Sequence, residues 1–525
     1  MLKPLLIFVL TALSACPVAA LTVAPKLEFS SAEMDLARAV MREPVLATFY
    51  GENGLTRVFT GPAGDRRRDA LRQALTIAPD HGIPLTRYRP EQLAAAGQDL
   101  GAELLYARVL ARFVQDMTGG MIRPASADPL IRRNVLRPPT AGTMRKFAQS
   151  IDPTGFLTGL APRNPAYLAL QQALRRQREF LVSDNLPPVP EAVWRIGMRG
   201  GGVAPLRQRL ASIGFPAEGA ETGTYDEALS QAVARYQQAV GLHPDGVAGP
   251  HTIRRLNSGG DAQTRAILVA LERLRWMGGE DLDRRMVWVN IPEFSARIIE
   301  GGHEVFQTRV VVGKNEKDFQ TPEFSDQMEY VVVNPRWNVP RSITVKEYLP
   351  RLKANRYAVS HLDVIDGRGN VIARDRIDFG RYTAANFPYR MRQKPSEDNA
   401  LGIVKFIFPN PWNIYLHDTP GKSLFGNRVR AYSHGCVRVG DPVDLATQLL
   451  SPQTSDPHGM FQRALDSGKE RWLALKPNLP VHLVYFTAYP DQYGQIRYFD
   501  DIYGRDAAIW AKLQQAGLDS ALQND

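Results

Sequence analysis

Chemistry concentrates in one short stretch, Ser433-His434-Gly435-Cys436-Val437-Arg438, where a thiol follows a glycine and a histidine. A second histidine, His417, lies upstream in Ile414-Tyr415-Leu416-His417-Asp418. Thiolate chemistry needs a base to take the sulfur proton and an acid to protonate a departing amine. One imidazole serves for both, and in its charged form it would lower the thiol pKa by ion pairing. Glycine beside the nucleophile lets a substrate carbonyl approach the backbone, where N–H groups can hold the oxyanion. If the segment is extended, His434 and Cys436 point to one face, where contact is poorly directed. His417, arriving from another strand, would present its ring edge, so geometry favours His417 as the base. The plainer reading of His434 is a hydrogen-bonded structural residue.

Cysteine usage sharpens this. The 525 residues contain two cysteines, Cys16 and Cys436, which excludes a disulfide framework and a Cys-rich zinc site. The chain opens as an export signal: Lys3, then the apolar run Leu5–Leu13, then Val18-Ala19-Ala20 as a cleavage site. Leu13-Ser14-Ala15-Cys16 also reads as a lipobox, in which Cys16 would carry a lipid anchor. Either way Cys436 is the thiol left in an oxidising compartment, where an unpaired cysteine is a liability unless it does chemistry. Later in the chain no apolar run is long enough for a membrane helix.

Composition sets the frame. Hydrophobic residues at 44% and charged residues at 22% exclude global disorder. A net charge of +10 favours an acidic polymer as partner. The elements that must position the site fall into zones. Residues 1–20 are the signal. Residues 21–198 are mainly helical, with Leu104, Leu105, Val109, Leu110, Phe113 and Val114 at helical spacing before Gly119-Gly120. Arg66-Arg67-Arg68 in this zone reads as a solvated helix face rather than a polymer contact. Residues 199–258 form a separate three-helix unit, and 259–283 a helical linker returning to the first zone. Residues 284–490 turn to strand chemistry: Met286–Ile291, Ala296–Ile299 with Gly301-Gly302 as a hairpin, Thr308–Val312, Tyr330–Val333, Lys405–Phe408, Ile414–Leu416 and Val481–Phe486. Within it, about 340–395 breaks the pattern and reads as an insertion projecting from the β-core. Residues 491–525 are an acidic-aromatic tail ending in a helix over Asp506–Gln515. The fold class is multidomain α+β.

Two resemblances follow from these residues. The unit 199–258 carries LxxxLxxxG from Leu206 to Gly214, Tyr225-Asp226, Ala232-Val233 with Tyr236-Gln237, and Gly241-Leu242 before Asp245-Gly246-Val247 and Gly249-Pro250. It resembles the three-helix peptidoglycan-binding module. His417, fifteen residues (418–432), then Ser433-His434-Gly435-Cys436 resembles the signature of the L,D-transpeptidases, cysteine enzymes of the bacterial cell wall. Gly402–Phe406, Pro409-Asn410, Tyr415–Pro420 and Asn334–Pro340 extend the likeness to the large subfamily with a helical scaffold, a peptidoglycan-binding module and a capping insertion. The resemblance implies Cys436 as nucleophile and His417 as base and acid, with a backbone carbonyl near Asp418 fixing its tautomer. It also implies an oxyanion hole at His434, Gly435 and Cys436, and contacts to the peptide stem from Tyr415, Ser433 and Arg438, with Trp337 and the capping segment covering the site. Many members carry Asn two residues after the cysteine; Arg438 stands there, as in the large subfamily. The plainer readings are core aromatics for Tyr415 and Trp337 and a structural ion pair for Arg438.

On this reading the protein is a periplasmic or envelope transpeptidase of wall biogenesis. Its partner is peptidoglycan rather than nucleic acid, it needs no cofactor or metal, and it is open to acylation by carbapenems. An L,D-carboxypeptidase, in which water replaces the acceptor amine, shares the motif. A non-catalytic wall-binding scaffold would have no reason to keep the thiol. A zinc hydrolase would use His417, His434 and Cys436 as ligands but lacks an evident fourth.

Overall fold

The computed structural model describes residues 28–181, 186, 188–218, 223–240, 242–257 and 259–518. The export segment with Cys16, and Gly241 of the module motif, lie outside the described residues. Among those described, no helix is long and apolar enough to cross a membrane.

The first zone is built on the helix Leu100–Gly119, started by the Asp99 carboxylate, which accepts from the Ala102 N–H at 2.8 Å. Its buried stripe, with Leu110, Phe113 and Val114, joins the helix Gly259–Trp276 and the helix Pro165–Leu181 in one apolar core. Residues 259–276 thus fold back onto the helices of the first zone. Glu103, fully buried on the central helix, accepts from the Tyr50 hydroxyl at 2.6 Å and from the N–H groups of Val58, Phe59 and Thr60. The arginine run departs from the solvated face read in the sequence. Arg66 reaches the Ile151 carbonyl, Arg67 those of Val58 and Ala148, and Arg68 that of Gly97. Each of the three ties a separate stretch of chain to the helix Gly64–Thr76, because guanidinium donors suit unpaired carbonyls at segment ends.

The three-helix unit comprises Val203–Ser212, Glu227–Ala239 and Pro250–Asn257. Its motif residues do structural work. Asp226 caps the second helix through Leu229 N at 2.8 Å, and the Tyr225 hydroxyl donates to the Gly246 carbonyl at 2.7 Å. The Gln237 amide bonds Gly246, Val247 and Asp245, pinning the turn that starts the third helix.

The strands are β1 (Met286–Asn290), β2 (Ser295–Glu300), β3 (His303–Gly313), β4 (Phe324–Val333), β5 (Trp337–Asn338), β6 (Leu362–Ile365), β7 (Arg390–Gln393), β8 (Val404–Ile407), β9 (Leu416–His417), β10 (Ala431–Ser433), β11 (Val437–Val439), β12 (Arg471–Val484), β13 (Ala488–Pro490) and β14 (Ile496–Tyr498). Nine of them form one sheet in the order β10-β3-β11-β9-β8-β4-β12-β1-β2, and it closes on itself because β2 also pairs with β3. One face buries Val310, Val331, Phe406, Leu416, Val437 and Val481 together with Leu445, Leu449 and Phe461 of the helices Pro442–Leu450 and Pro457–Asp466. The other side of β1 and β12 sets Trp288 and Val484 into the core of the helical zone.

The junction with the helices includes buried ion pairs. Glu323, 1% exposed, meets both Arg273 of the helix Gly259–Trp276 and Arg505, which starts the C-terminal helix Arg505–Gln515. The capping insertion has its own three-stranded sheet, β5-β7-β6, and its own apolar core of Trp337, Leu349, Leu362, Phe379, Phe387 and Met391. Its helical piece runs Arg341–Ile343, a π turn Thr344–Tyr348, then Leu349–Ala354.

Candidate active site

Strand register assembles the site. A single cross-strand row runs Trp472, Val332, Lys405, His417, Arg438 and Val311, through β12, β4, β8, β9, β11 and β3. Directly paired residues share a face. This face is opposite the one that buries Val331, Phe406, Leu416 and Val437, so alternation alone brings His417 and Arg438 together. Tyr415 and Cys436, each two residues earlier, emerge beside them. The Tyr415 and His417 rings lie 5.7 Å apart.

His417 is 5% exposed, and its Nδ1 is 2.5 Å from the Asp418 carbonyl oxygen. A carbonyl only accepts, so Nδ1 carries the hydrogen and Nε2 is left free to take a proton. The Asp418 carboxylate turns the other way, accepting from Ile403 N at 3.0 Å and Lys422 Nζ at 2.5 Å. It packs against Gly402, whose φ is +59 and where a Cβ would come within 2.1 Å of the carboxylate oxygen.

The thiol is close to Tyr415, whose phenol and backbone N–H favour the thiolate. Cys436 Sγ also reaches the Asn413 carbonyl at 3.6 Å. Among the described residues no hydrogen bond joins the sulfur to His417. Burial pushes the Cys436 thiol up to about 11, against the opposing bonds from Tyr415 and the charge of Arg438. Burial first, then Arg438, pushes His417 down to about 4. The resting pair is therefore a neutral thiol and a neutral imidazole, not the ion pair that the sequence reading allowed. The physical reason is the dry sheet face and the two cations, Arg438 and Lys405, that flank the ring in its row.

The segment 433–436 is not extended, which corrects the premise used for His434. Gly435 adopts φ +113, a backbone state that glycine alone takes readily. The turn sends the His434 ring to the cap, where Nε2 lies 2.8 Å from a Glu347 carboxylate oxygen and the ring packs edge-on to Phe319 at 4.6 Å. Ser433, read as a substrate contact, is 2% exposed and acts inside the loop: its hydroxyl accepts from Gly435 N at 3.1 Å and donates to the Cys436 carbonyl at 2.5 Å. The Gly435 N–H is thereby committed to Ser433, so of the three oxyanion donors read from sequence it is the one already used. Trp337, also read as a substrate contact, is buried in the cap core, with Tyr415 packed against that core. Arg438 is half-buried, and no carboxylate pairs with it among the described residues; its ion-pair reading has no partner there.

A cleft of about 850 Å³ opens over Cys436. Its walls are the cap base (Asn338 to Ser342), the loop carrying Lys317 to Pro322, and the loop Phe408 to Tyr415. Lys317, Arg336, Arg341 and Lys405 face it against the single carboxylate of Asp318. Asn410 holds the 408–414 loop by accepting from the N–H groups of Trp412 and Ile414 and donating to the Phe408 and Ile414 carbonyls. That loop is why the strand expected at Ile414–Leu416 shortens to Leu416–His417. Sequence reasoning missed Glu347, Asn413 and Lys405 as site neighbours. Lys405 alone left a signal, a cation alternating with apolar residues in β8; Glu347 and Asn413 act through tertiary placement and a carbonyl.

Three stretches of the chain match known families. Residues 284–459 match the YkuD family, described as the L,D-transpeptidase catalytic domain. Residues 44–174 match a scaffold domain and residues 199–256 a family described as "Putative peptidoglycan binding domain". A protein of Haemophilus influenzae named "Putative L,D-transpeptidase" is 37% identical over 225 residues, 42% of this chain and 45% of that protein. The chain thus matches less than half the length of this relative. A crystal structure of the L,D-transpeptidase from Xylanimonas cellulosilytica aligns with 57% of this chain and 100% of that one, at 17% identity and a TM-score of 0.17, a likeness too low to carry an argument. Residues 284–459 thus match the L,D-transpeptidase catalytic domain of the YkuD family, in a chain whose other stretches match a scaffold domain and a peptidoglycan-binding domain.

Proposed function

We propose that the protein cross-links peptidoglycan stems through a Cys436 thioester. The observation that carries this reading is the placement of Cys436 and Tyr415 in a cation-rich cleft, next to the β9–β11 pairing that sets His417 against Arg438. His417 Nε2 takes the sulfur proton as Sγ attacks the carbonyl carbon of the third stem residue. The carbonyl oxygen gains the charge, held by backbone N–H at Cys436 and His434. Collapse breaks the amide bond, and His417 returns the proton to the leaving amine of the terminal D-alanine. An amine of a second stem then attacks the thioester, giving up a proton through His417, and the thiol is restored.

Arg438, which pairs with no carboxylate among the described residues, and the lysines and arginines of the cleft suit the stem carboxylates. The three-helix unit holds the chain on the polymer, in the periplasm or envelope. Hydrolysis of the same thioester is the carboxypeptidase reading. Incubation with a purified disaccharide-tetrapeptide and mass analysis separates them. A cross-linked dimer lacking one D-alanine supports transfer, and tripeptide alone means hydrolysis.

A further inference from the structure

The peptide between Gly435 and Cys436 is held from behind by a residue outside the motif. The Gly435 carbonyl accepts from the Thr321 hydroxyl at 2.8 Å, and that hydroxyl accepts in turn from Gly313 N at 2.9 Å. Thr321 is fully buried. In a trans peptide the N–H points opposite to the C=O. A Gly435 carbonyl drawn toward Thr321 therefore turns the Cys436 N–H away from Thr321, and Gly435 and Cys436 themselves line the cleft. With the Gly435 N–H spent on Ser433, the Cys436 N–H has no acceptor among the described residues.

Thr321 is itself fixed from several sides. Its carbonyl accepts from Arg505 Nη2 at 2.8 Å, and Arg505 pairs with Glu323 at 3.2 Å. The Tyr503 hydroxyl donates to the Gly313 carbonyl at 2.5 Å. The C-terminal helix thus braces the backbone that braces the loop.

We propose that Thr321 is a positioning residue for acyl transfer: its hydroxyl sets the Gly435–Cys436 peptide so that the Cys436 N–H stabilises the oxyanion. The proposal rests on Cys436 being the nucleophile. It applies to a group that acts through the peptide and touches no substrate.

Two reactions of the same sulfur test it. Turnover of a disaccharide-tetrapeptide builds an oxyanion, whereas alkylation by iodoacetamide is a direct displacement that builds none. In full-length Thr321→Val, kcat should fall by about 10–10²-fold, somewhat less than loss of a whole oxyanion donor. KM should stay within about twofold, and the iodoacetamide rate and its pH profile should match wild type. Thr321→Ser, which keeps the hydroxyl, should recover kcat to within a few-fold. If Thr321→Val does not fold by circular dichroism, Thr321→Ala carries the same comparison, since it leaves room for water at Gly313 N. Unchanged kcat in the variant, an equal fall in both reactions, or no recovery with serine would each overturn the proposal. Turnover surviving in Cys436→Ala would instead overturn the nucleophile reading, whatever Thr321 does.

Discussion

Arg438 stands directly across from His417 in the parallel pairing of β11 with β9. After burial, its charge is the largest cause holding the imidazole neutral, and it also opposes the upward push on the Cys436 thiol. One guanidinium thus favours the two states that proton transfer needs at the outset, an unprotonated base and a thiol that is easier to ionise than burial alone would leave it.

The neutral pair has a kinetic signature. With His417 near 4 and Cys436 near 11, the rate of iodoacetamide alkylation should climb steadily with pH above neutrality and show no low-pH plateau. His417→Asn should leave that curve nearly in place while turnover drops by about 10²–10⁴-fold, the range for general acid–base catalysis. A plateau below pH 6 that vanishes in His417→Asn would mean an ion pair after all.

Tyr415→Phe removes the phenol that helps to lower the pKa of the thiol. The alkylation curve should then move to higher pH. Trp337→Phe, which removes the indole partner of that phenol, should shift it less. A shift in the opposite direction for Tyr415→Phe would show that the phenol holds the thiol rather than the thiolate.

Cys436→Ala should abolish turnover and leave the melting curve close to wild type, since a smaller side chain replaces the thiol at a half-buried position. A carbapenem should add one adduct mass to wild type and none to this variant. An adduct on the alanine variant would place the nucleophile elsewhere.

Acid should unfold the protein early. His81, His417 and His482 are buried and held near 4, 4 and 3. The unfolded chain protonates them near 6.5, so between that pH and about 4 the unfolded state binds more protons and stability falls as pH falls. Each histidine costs about 1.4 kcal/mol per pH unit in that window. Denaturation midpoints from pH 7 to 4.5 should decline, and His81→Gln should flatten the decline. An unchanged slope would remove His81 from the account.

Glu323→Ala leaves the buried guanidiniums of Arg273 and Arg505 short of a shared partner, although Asp506 and Asp128 remain near them. Removing one member of a buried pair costs about 3–5 kcal/mol. Urea denaturation should show a loss of that order, and a loss below about 1 kcal/mol would mean the remaining aspartates suffice.

The residue types and spacing in the chain already determined the thiol, its two candidate histidines and the change from helical to strand chemistry near residue 284. Those are local properties: apolar period, turn residues and a six-residue motif. The preference for His417 also followed locally, from its separation along the chain. What the spacing could not carry was the direction of each group. Gly435 at φ +113 turns the His434 ring to Glu347 and folds the Ser433 hydroxyl into the loop, so the side chains of both residues are engaged by other groups of the protein. Trp337 moved from cleft wall to support for Tyr415 because the cap closes its own core around it. The neutral state of the pair was likewise a tertiary outcome. Desolvation and the charges of Arg438 and Lys405 act through a strand register that joins residues 405, 417 and 438, and no local pattern encodes that register by itself.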